Sequence, residues 1–351
     1  MKAVRIHGER DIRVEDVAEP SVEDGTVLLT AGFTGICGTD LHLYYQPESF
    51  GADFSAPAKL TGATWPQILG HEFSGLVSQI GAGVEHLAPG DRVAVFPYHY
   101  CGECFACRAG QYTSCEFMAF EGIQGSSGGM AGVKRVNADQ CFVLPANVDL
   151  KFGSLVEPMA VAWHGVTLSG VEEGASALIV GGGPIGVGAY FALKAKDVRE
   201  VVVSEPSAGR REILKRIGVE HVINPLASDL SGEVRLLTAG RGVDAAIDTA
   251  GAPRAFAGAM QSLAIGGSMV IIAVYEQPIE LTRSLLFGGR SIQNSSVYTH
   301  GDFQAVINAM SRGMYTVDGE WIETITFDQV EGALQELRAG NGMKMVVESP
   351  S

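Results

Sequence analysis

The sequence predicts an α/β protein in two parts, a compact and mostly antiparallel β domain followed by a doubly wound parallel sheet. Three observations point there. The chain has 351 residues, more than one ordinary core organises, so two domains are expected. Up to about residue 158 the apolar runs are short and β-like, and from about 159 strands alternate with helix-length segments. That alternation is the rhythm of βαβ units.

In the first part, "TVLLTAGFTGI", "FSGLVSQIG", "DRVAVFPYHY" and "QCFVLP" are apolar or alternating runs broken by Gly, Pro and Asp. Pro89-Gly90-Asp91 reads as a turn feeding a strand. In the second part, "ALIVGG", "EVVVSEP", "HVINP", "DAAIDTAG" and "SMVIIAVYE" are the strands. "IGVGAYFALKAK", "AGRREILKRIG" and "PRAFAGAMQSLAIG" are the helices between them. After residue 299, "FQAVINAMSRG" and "QVEGALQELRAG" are amphipathic helices and "KMVVES" a last strand. The expected division is therefore 1–158 with 300–351 as one domain and 159–299 as the other.

The bulk composition narrows the function. Hydrophobic residues make up 46% of the chain, enough to bury a core throughout. A net charge of -15 opposes binding to nucleic acid and to anionic membranes, which leaves small molecules and proteins as partners. The N-terminus alternates charged and apolar residues and lacks the apolar core of a secretory signal. The longest weakly polar run, Ala177 to Leu193, is shorter than the roughly 20 residues of a membrane helix. A cytoplasmic location is expected, where clustered cysteines read as metal ligands or redox groups.

"VGGGPIG" places Gly181, Gly183 and Gly186 in G-x-G-x-x-G spacing, with Pro184 and Ile185 inside it, after a strand and before a helix. The first glycine permits the tight turn, the second lets the backbone approach a pyrophosphate, and the third lets helix and strand pack closely. Taken alone the motif is also what a tight connection looks like. Glu205 ends the next strand, where a carboxylate can accept hydrogen bonds from both ribose hydroxyls and repel a 2′-phosphate. That favours NAD over NADP, and Arg210 and Arg211 nearby would soften the discrimination.

Four of the six cysteines fall within "CGECFACRAGQYTSC". Cys101, Cys104, Cys107 and Cys115 can converge on one ion, and four sulfurs close a tetrahedral shell around zinc. A redox pair needs two cysteines and leaves the others unexplained, while spacing alone also admits an iron–sulfur cluster. A closed shell has no position for substrate, so this site is structural and the neighbouring His99 is expected at the surface.

The chemistry is then sought in "GICGTDLH", "ILGHEFSG" and "SLVEPMAVAWH". Singly, Cys37, His71 and Glu157 have ordinary structural explanations. Together, one thiolate, one imidazole and one carboxylate make a three-ligand zinc site with an open fourth position. An open zinc is a Lewis acid that favours alkoxide over alcohol beside a hydride acceptor. Thr39 can relay the hydroxyl proton, and His42 can release it, since histidine titrates near neutrality.

This ordered set of motifs resembles the zinc-containing medium-chain alcohol/polyol dehydrogenases over essentially the whole chain, and most of all their 2,3-butanediol dehydrogenase branch. The resemblance implies a chaperonin-10-like β domain and a Rossmann domain with the active-site cleft between them. It implies a catalytic zinc on Cys37, His71 and Glu157, with Glu72 able to exchange as a ligand, and a structural zinc on the four clustered cysteines. It also implies NAD as cofactor, with Thr249, Ala273, Val274 and Ser296 lining the nicotinamide half. The substrate it favours is a secondary alcohol or vicinal diol, such as 2,3-butanediol with acetoin as its ketone. Sorbitol- and threonine-type dehydrogenases, and a non-catalytic dinucleotide-binding protein on the same scaffold, are the other readings. Assembly as a homodimer or homotetramer follows by the same analogy.

Overall fold

The structure is a computed structural model that describes residues 1–50, 54–125, 128–316 and 321–350. Residues 51–53, within the insert between His42 and His71, therefore lie outside the described residues. The chain divides into two compact units, Met1–Glu157 with Gly319–Ser351, and Pro158–Asp318.

The first unit is built around the strand Glu72–Ile80. It pairs antiparallel with Thr26–Thr30, Phe33–Gly35 and Arg92–Val95. Along it Phe73 and Val77 turn into a core that also holds Val27, Leu29, Val93 and Val95, as the two-residue period of a strand requires. Full burial of each such side chain contributes about 1.5–3 kcal/mol. The final strand Lys344–Glu348 extends this sheet, antiparallel to Phe33–Gly35 and parallel to Ile322–Ile325. A second core gathers Val4, Ile6, Leu43, Leu69, Val330, Leu334 and Val347, so the chain's last segment helps close its first domain.

The order of strands places functional residues with little freedom. Gly35 lies opposite Glu72 in the ladder, and the chain passes directly from that strand through Ile36 and Cys37 into the helix Gly38–Tyr45. Asp40 fastens the helix start: it is fully buried and its Oδ2 accepts the Cys37 N–H at 2.9 Å. A carboxylate in the first turn also suits the positive end of the helix dipole. Cys37 is thereby held at the junction of strand and helix.

The second unit carries, among the described residues, a parallel sheet with the strands in the order His221–Ile223, Glu200–Ser204, Ser176–Val180, Val243–Asp248, Leu263–Ile271 and Ser291–Asn294. The chain runs outward to one edge and then returns to build the other, so the order reverses beside Ser176–Val180. A doubly wound sheet binds its ligand outside the strand ends at such a reversal.

The helix His300–Ser311, expected with the returning tail, belongs by its contacts to this second unit. Asp302, at its first turn, accepts from the Thr299 N–H at 2.9 Å and lies 2.8 Å from His164 Nδ1. Phe303 stacks on Tyr298 with ring centroids 5.9 Å apart. The amphipathic pattern showed a helix with one apolar face but not which sheet that face would meet.

Candidate functional site

The glycine turn follows Val180 directly. Gly181 has φ +96°, a conformation that glycine adopts without steric cost. At Gly186 a Cβ would lie 2.0 Å from the Gly181 carbonyl oxygen, so no larger residue lets the helix Pro184–Ala195 come so close. Gly183 caps that helix and Pro184 occupies its first turn, with Ile185 half-buried after it. The turn thus offers what a backbone-bound diphosphate needs: three glycines without side chains of their own and the positive dipole end of a helix.

Glu205 is not a solvated loop residue. It is 3% exposed, and its two oxygens accept the Gly182 and Ser207 N–H groups, each at 2.7 Å. The carboxylate is fixed behind the turn with lone pairs to spare. Arg210 Nη1 stands 3.7 Å from where a Gly183 Cβ would lie, and its buried Nε has no hydrogen-bond partner. Thr249 Oγ1 lies 2.9 Å from the Val180 carbonyl and 3.0 Å from that of Gly181. Ala273 N–H donates to Asp248 O at 3.1 Å, whereas Val274 and Ser296 are exposed. The next residue, Val297, has φ +61°, an outlier for a β-branched side chain.

The four clustered cysteines converge. Cys101 Sγ lies 3.9 Å from Cys107 Sγ and 3.6 Å from Cys115 Sγ. Four thiolates about 2.3 Å from one zinc would be spaced roughly 3.8 Å apart, so the set fits that ion, while all six cysteines are free of disulfides. The backbone prepares the sulfurs to carry charge. The N–H groups of Cys101, Cys104, Cys107 and Phe117 donate to sulfurs of the cluster at 3.3–3.4 Å. Donors of this kind, led by the Glu116 N–H, pull the Cys104 thiol down to about 6. Burial pushes the Cys107 thiol up to about 12. His99 is half-buried where a surface position was expected, its Nε2 lying 2.8 Å from the buried Glu121 carboxylate.

The second group of potential ligands is Cys37, His71 and Glu72, whose donor atoms lie within 4.8 Å of one another. Around a single zinc such donors stand roughly 3.3–3.8 Å apart, so a small closure suffices. His71 and Glu72 are buried. Asp40 Oδ1 and His71 Nδ1 are both buried without a hydrogen bond and lie 3.8 Å apart. A ligating histidine directs its other ring N–H at a carboxylate, and this pair is set for that arrangement. Burial disfavours a charged His71, but Cys37, Asp40 and Glu157 outweigh it and raise its pKa well above the ordinary value. So much negative charge in a closed space is what a divalent cation would neutralise.

Glu157 is 5% exposed and acts electrostatically on His71, although it stands outside the compact trio. Thr39 Oγ1 lies 3.6 Å from Cys37 Sγ, and His42 follows three positions later on the same helix. One residue that sequence reasoning missed is Lys344. Its buried Nζ forms an ion pair with Glu72 and donates to Ile36 O at 2.8 Å. "KMVVES" carries the pattern of a final strand, and a lysine opening such a strand reads as its solvated end.

Two family descriptions match the chain: "Alcohol dehydrogenase GroES-like domain" over residues 23–146 and "Zinc-binding dehydrogenase" over residues 184–312. The chain is 34% identical to the (R,R)-butanediol dehydrogenase of Bacillus subtilis, over 94% of each sequence. It is 33% identical to the L-threonine 3-dehydrogenase of Pyrococcus horikoshii, over 94% of this chain and 93% of that one. The crystal structure of 2R,3R-butanediol dehydrogenase from Bacillus subtilis matches with a TM-score of 0.90 at 33% identity, covering 100% of this chain and 99% of that one. The protein belongs to the zinc-containing medium-chain alcohol/polyol dehydrogenase family. It is therefore an oxidoreductase whose cofactors are zinc and a nicotinamide dinucleotide.

Proposed function

We propose that the protein interconverts a secondary alcohol or vicinal diol with its ketone, using NAD, and that 2,3-butanediol and acetoin are the favoured pair. The observation that carries this reading is the convergence of Cys37, His71 and Glu72 in a chain that also bears the glycine turn backed by Glu205. Similarity to a butanediol dehydrogenase supports the choice of diol.

In this reading Cys37, His71 and Glu157 hold the catalytic zinc, with Glu72 beside them, and the four clustered cysteines hold the structural one. Bound there, zinc would supply a Lewis acid and NAD a hydride acceptor. The chain's own residues orient the alcohol and move its proton. The Thr39 hydroxyl accepts the substrate proton as it passes its own to His42, which releases it to water. Positions three apart share a helix face, so the two groups are neighbours. Glu205 takes the adenosine ribose, the N–H groups that follow Pro184 at the start of the helix Pro184–Ala195 take the diphosphate, and Thr249, Ala273, Val274 and Ser296 line the nicotinamide half.

A panel of diols, alcohols, sorbitol and L-threonine with NAD and NADP, run beside metal analysis, tests this reading. Diol-dependent NADH formation with two zincs per chain is expected. Highest kcat/KM on L-threonine would move the assignment to the branch of the Pyrococcus relative, and one zinc without turnover would leave only dinucleotide binding. Fixed behind its turn, Glu205 predicts kcat/KM at least about tenfold higher with NAD than with NADP, roughly the 1.4 kcal/mol of one charge repulsion. A clear NADP advantage would refute it.

We also propose a cytoplasmic homodimer or homotetramer. Among the described residues no helix is long and apolar enough to cross a membrane. The sheet edge Ser291–Asn294 is paired on one side, and Ile265 and Phe287 are exposed. Open edges and apolar surface favour association, and a monomer by light scattering would contradict it.

A further inference from the structure

The sheet order fixes where a dinucleotide crosses the second unit. It reverses between Ser176–Val180 and Val243–Asp248, so the ligand spans the ends of those two strands. One half meets the glycine turn and Glu205, and the other meets the ends of Val243–Asp248 and Leu263–Ile271. The two halves adjoin, since a Cβ on Gly181 would lie 2.9 Å from Thr249 Oγ1. In the second half a single residue gathers the chain. Asp248 is fully buried, and its Oδ1 accepts the Ala250 and Gly251 N–H groups at 2.9 and 3.2 Å. Its main-chain oxygen accepts the Ile272 and Ala273 N–H groups at 2.9 and 3.1 Å.

An aspartate that accepts from the N–H groups just after it is a common turn device, and it accounts for one carboxylate oxygen only. The other, Oδ2, accepts the hydroxyl of Tyr275, which lies beyond the end of the neighbouring strand Leu263–Ile271. Burial, and then the Asp248 carboxylate, push that hydroxyl well above its ordinary value, so it keeps its proton and donates. The ring packs edge-on against Phe256, with centroids 6.4 Å apart. The two anchored segments touch: Gly251 has φ +63°, and a Cβ on it would lie 2.6 Å from Val274 O. A buried carboxylate oxygen without a donor is costly, so the Tyr275 hydroxyl ties loops from two strands into one surface.

The geometry points to Tyr275 as a positioning residue for the nicotinamide ring: through Asp248 its hydroxyl holds Thr249–Gly251 and Ala273–Val274 together, so the surface that meets the ring is set before the cofactor arrives. This rests on the reading of Thr249, Ala273 and Val274 as the nicotinamide half and adds what fixes them. A surface already in place lowers the ordering cost of binding. Hydride transfer depends on it too, since a misplacement of about 1 Å can cost on the order of a hundredfold in rate. Without the hydroxyl, Oδ2 is buried and short of a donor, and the two loops separate to admit water. The glycine turn and Glu205 make no contact with Tyr275 through this link, so the adenosine and diphosphate half keeps its grip.

The test compares full-length, zinc-loaded wild type with Tyr275→Phe, which removes one oxygen and keeps the ring against Phe256. The readouts are Kd for NADH, Kd for ADP-ribose, the emission of bound NADH, and kcat/KM for NAD. ADP-ribose carries the adenosine, the diphosphate and the second ribose but no nicotinamide. Tyr275→Phe should raise Kd for NADH by about tenfold, the scale of one hydrogen bond to a charged group, and leave Kd for ADP-ribose within about twofold. The emission of bound NADH should move toward that of free NADH, and kcat/KM should fall at least as far as affinity. A general loss of packing would weaken both ligands alike, and that result, or no change in either, overturns the inference. Should Tyr275→Phe fail to fold, Asp248→Asn decides. Its oxygen can still serve the turn, while its amide replaces the acceptor of the hydroxyl with a donor. The preference for NADH over ADP-ribose should then shrink at least about threefold, and an unchanged preference refutes the inference. A wild-type protein that binds NADH no better than ADP-ribose, without an emission change, would instead refute the placement of the nicotinamide half itself.

Discussion

The two clusters of potential metal ligands in the first unit are built on opposite plans. The four-cysteine lobe draws every ligand from Cys101–Cys115, and local backbone N–H groups already stabilise its sulfurs. The other cluster draws Cys37 from a strand-to-helix junction, and His71 and Glu72 from the start of the central strand. Lys344 on the last strand pairs with Glu72 there. The first set is gathered within one loop; the second exists only when the sheet does. The lesson is that a structural site needs saturation, which neighbours in sequence can supply. A reactive site needs an unsaturated corner and a defined charge balance, which require distant elements held rigidly.

Breaking the second cluster should have the largest effect on catalysis. Cys37→Ser removes a ligand itself, so kcat/KM should fall by more than about a hundredfold, beyond the loss caused by removing an outer partner. The folded yield and the zinc of the four-cysteine lobe should survive, as checked by circular dichroism and metal analysis. Loss of both zincs would show that the two clusters are not independent.

Breaking the first cluster should act on stability. With Cys104→Ser the lobe loses the binding energy that is coupled to its folding, and Tm should drop by about 10 °C, corresponding to roughly 3–5 kcal/mol in a domain of this size. The folded fraction should retain kcat/KM within a few-fold. A Tm unchanged on removing Cys104 would mean that the lobe holds without its metal.

The comparison is sharpened by a second buried lysine. Lys134, fully buried, has Ser349 Oγ at 2.7 Å where Lys344 has a carboxylate. Burial lowers the Lys134 pKa from 10.5 to about 7. Between those values the unfolded chain binds the proton and the folded chain does not, so stability rises with pH through that window. Below pH 7 the penalty is present in full. Lys134→Met should therefore raise Tm by several degrees at pH 6, the gain shrinking toward pH 10. A gain independent of pH would show that Lys134 is charged in the fold.

Much of the fold was legible because its signals are local. The G-x-G-x-x-G turn needs Gly181 and Gly186 for steric reasons that operate within six residues. The parallel strands announce themselves as apolar runs between helices. Cys101, Cys104, Cys107 and Cys115 are crowded together because their ligand geometry is local too. His99 misled for the same reason. Four thiolates close by left it no place as a ligand and so suggested a surface position, whereas its partner Glu121 lies 22 positions away. The helix His300–Ser311 showed an apolar face, but an apolar face does not name the surface it will cover.

The sequence by itself determined the chemical inventory: a nucleotide turn, a four-sulfur lobe, and a thiolate, an imidazole and carboxylates for a second ion. Tertiary structure decided how the inventory is wired. It put Asp40 Oδ1 facing His71 Nδ1, tied Glu205 to the turn it backs, and brought Lys344 across the sheet to Glu72. Periodicity and spacing report what each segment does with its own backbone. Which charge meets which depends on strand register, and register is settled only when the sheets close around their cores.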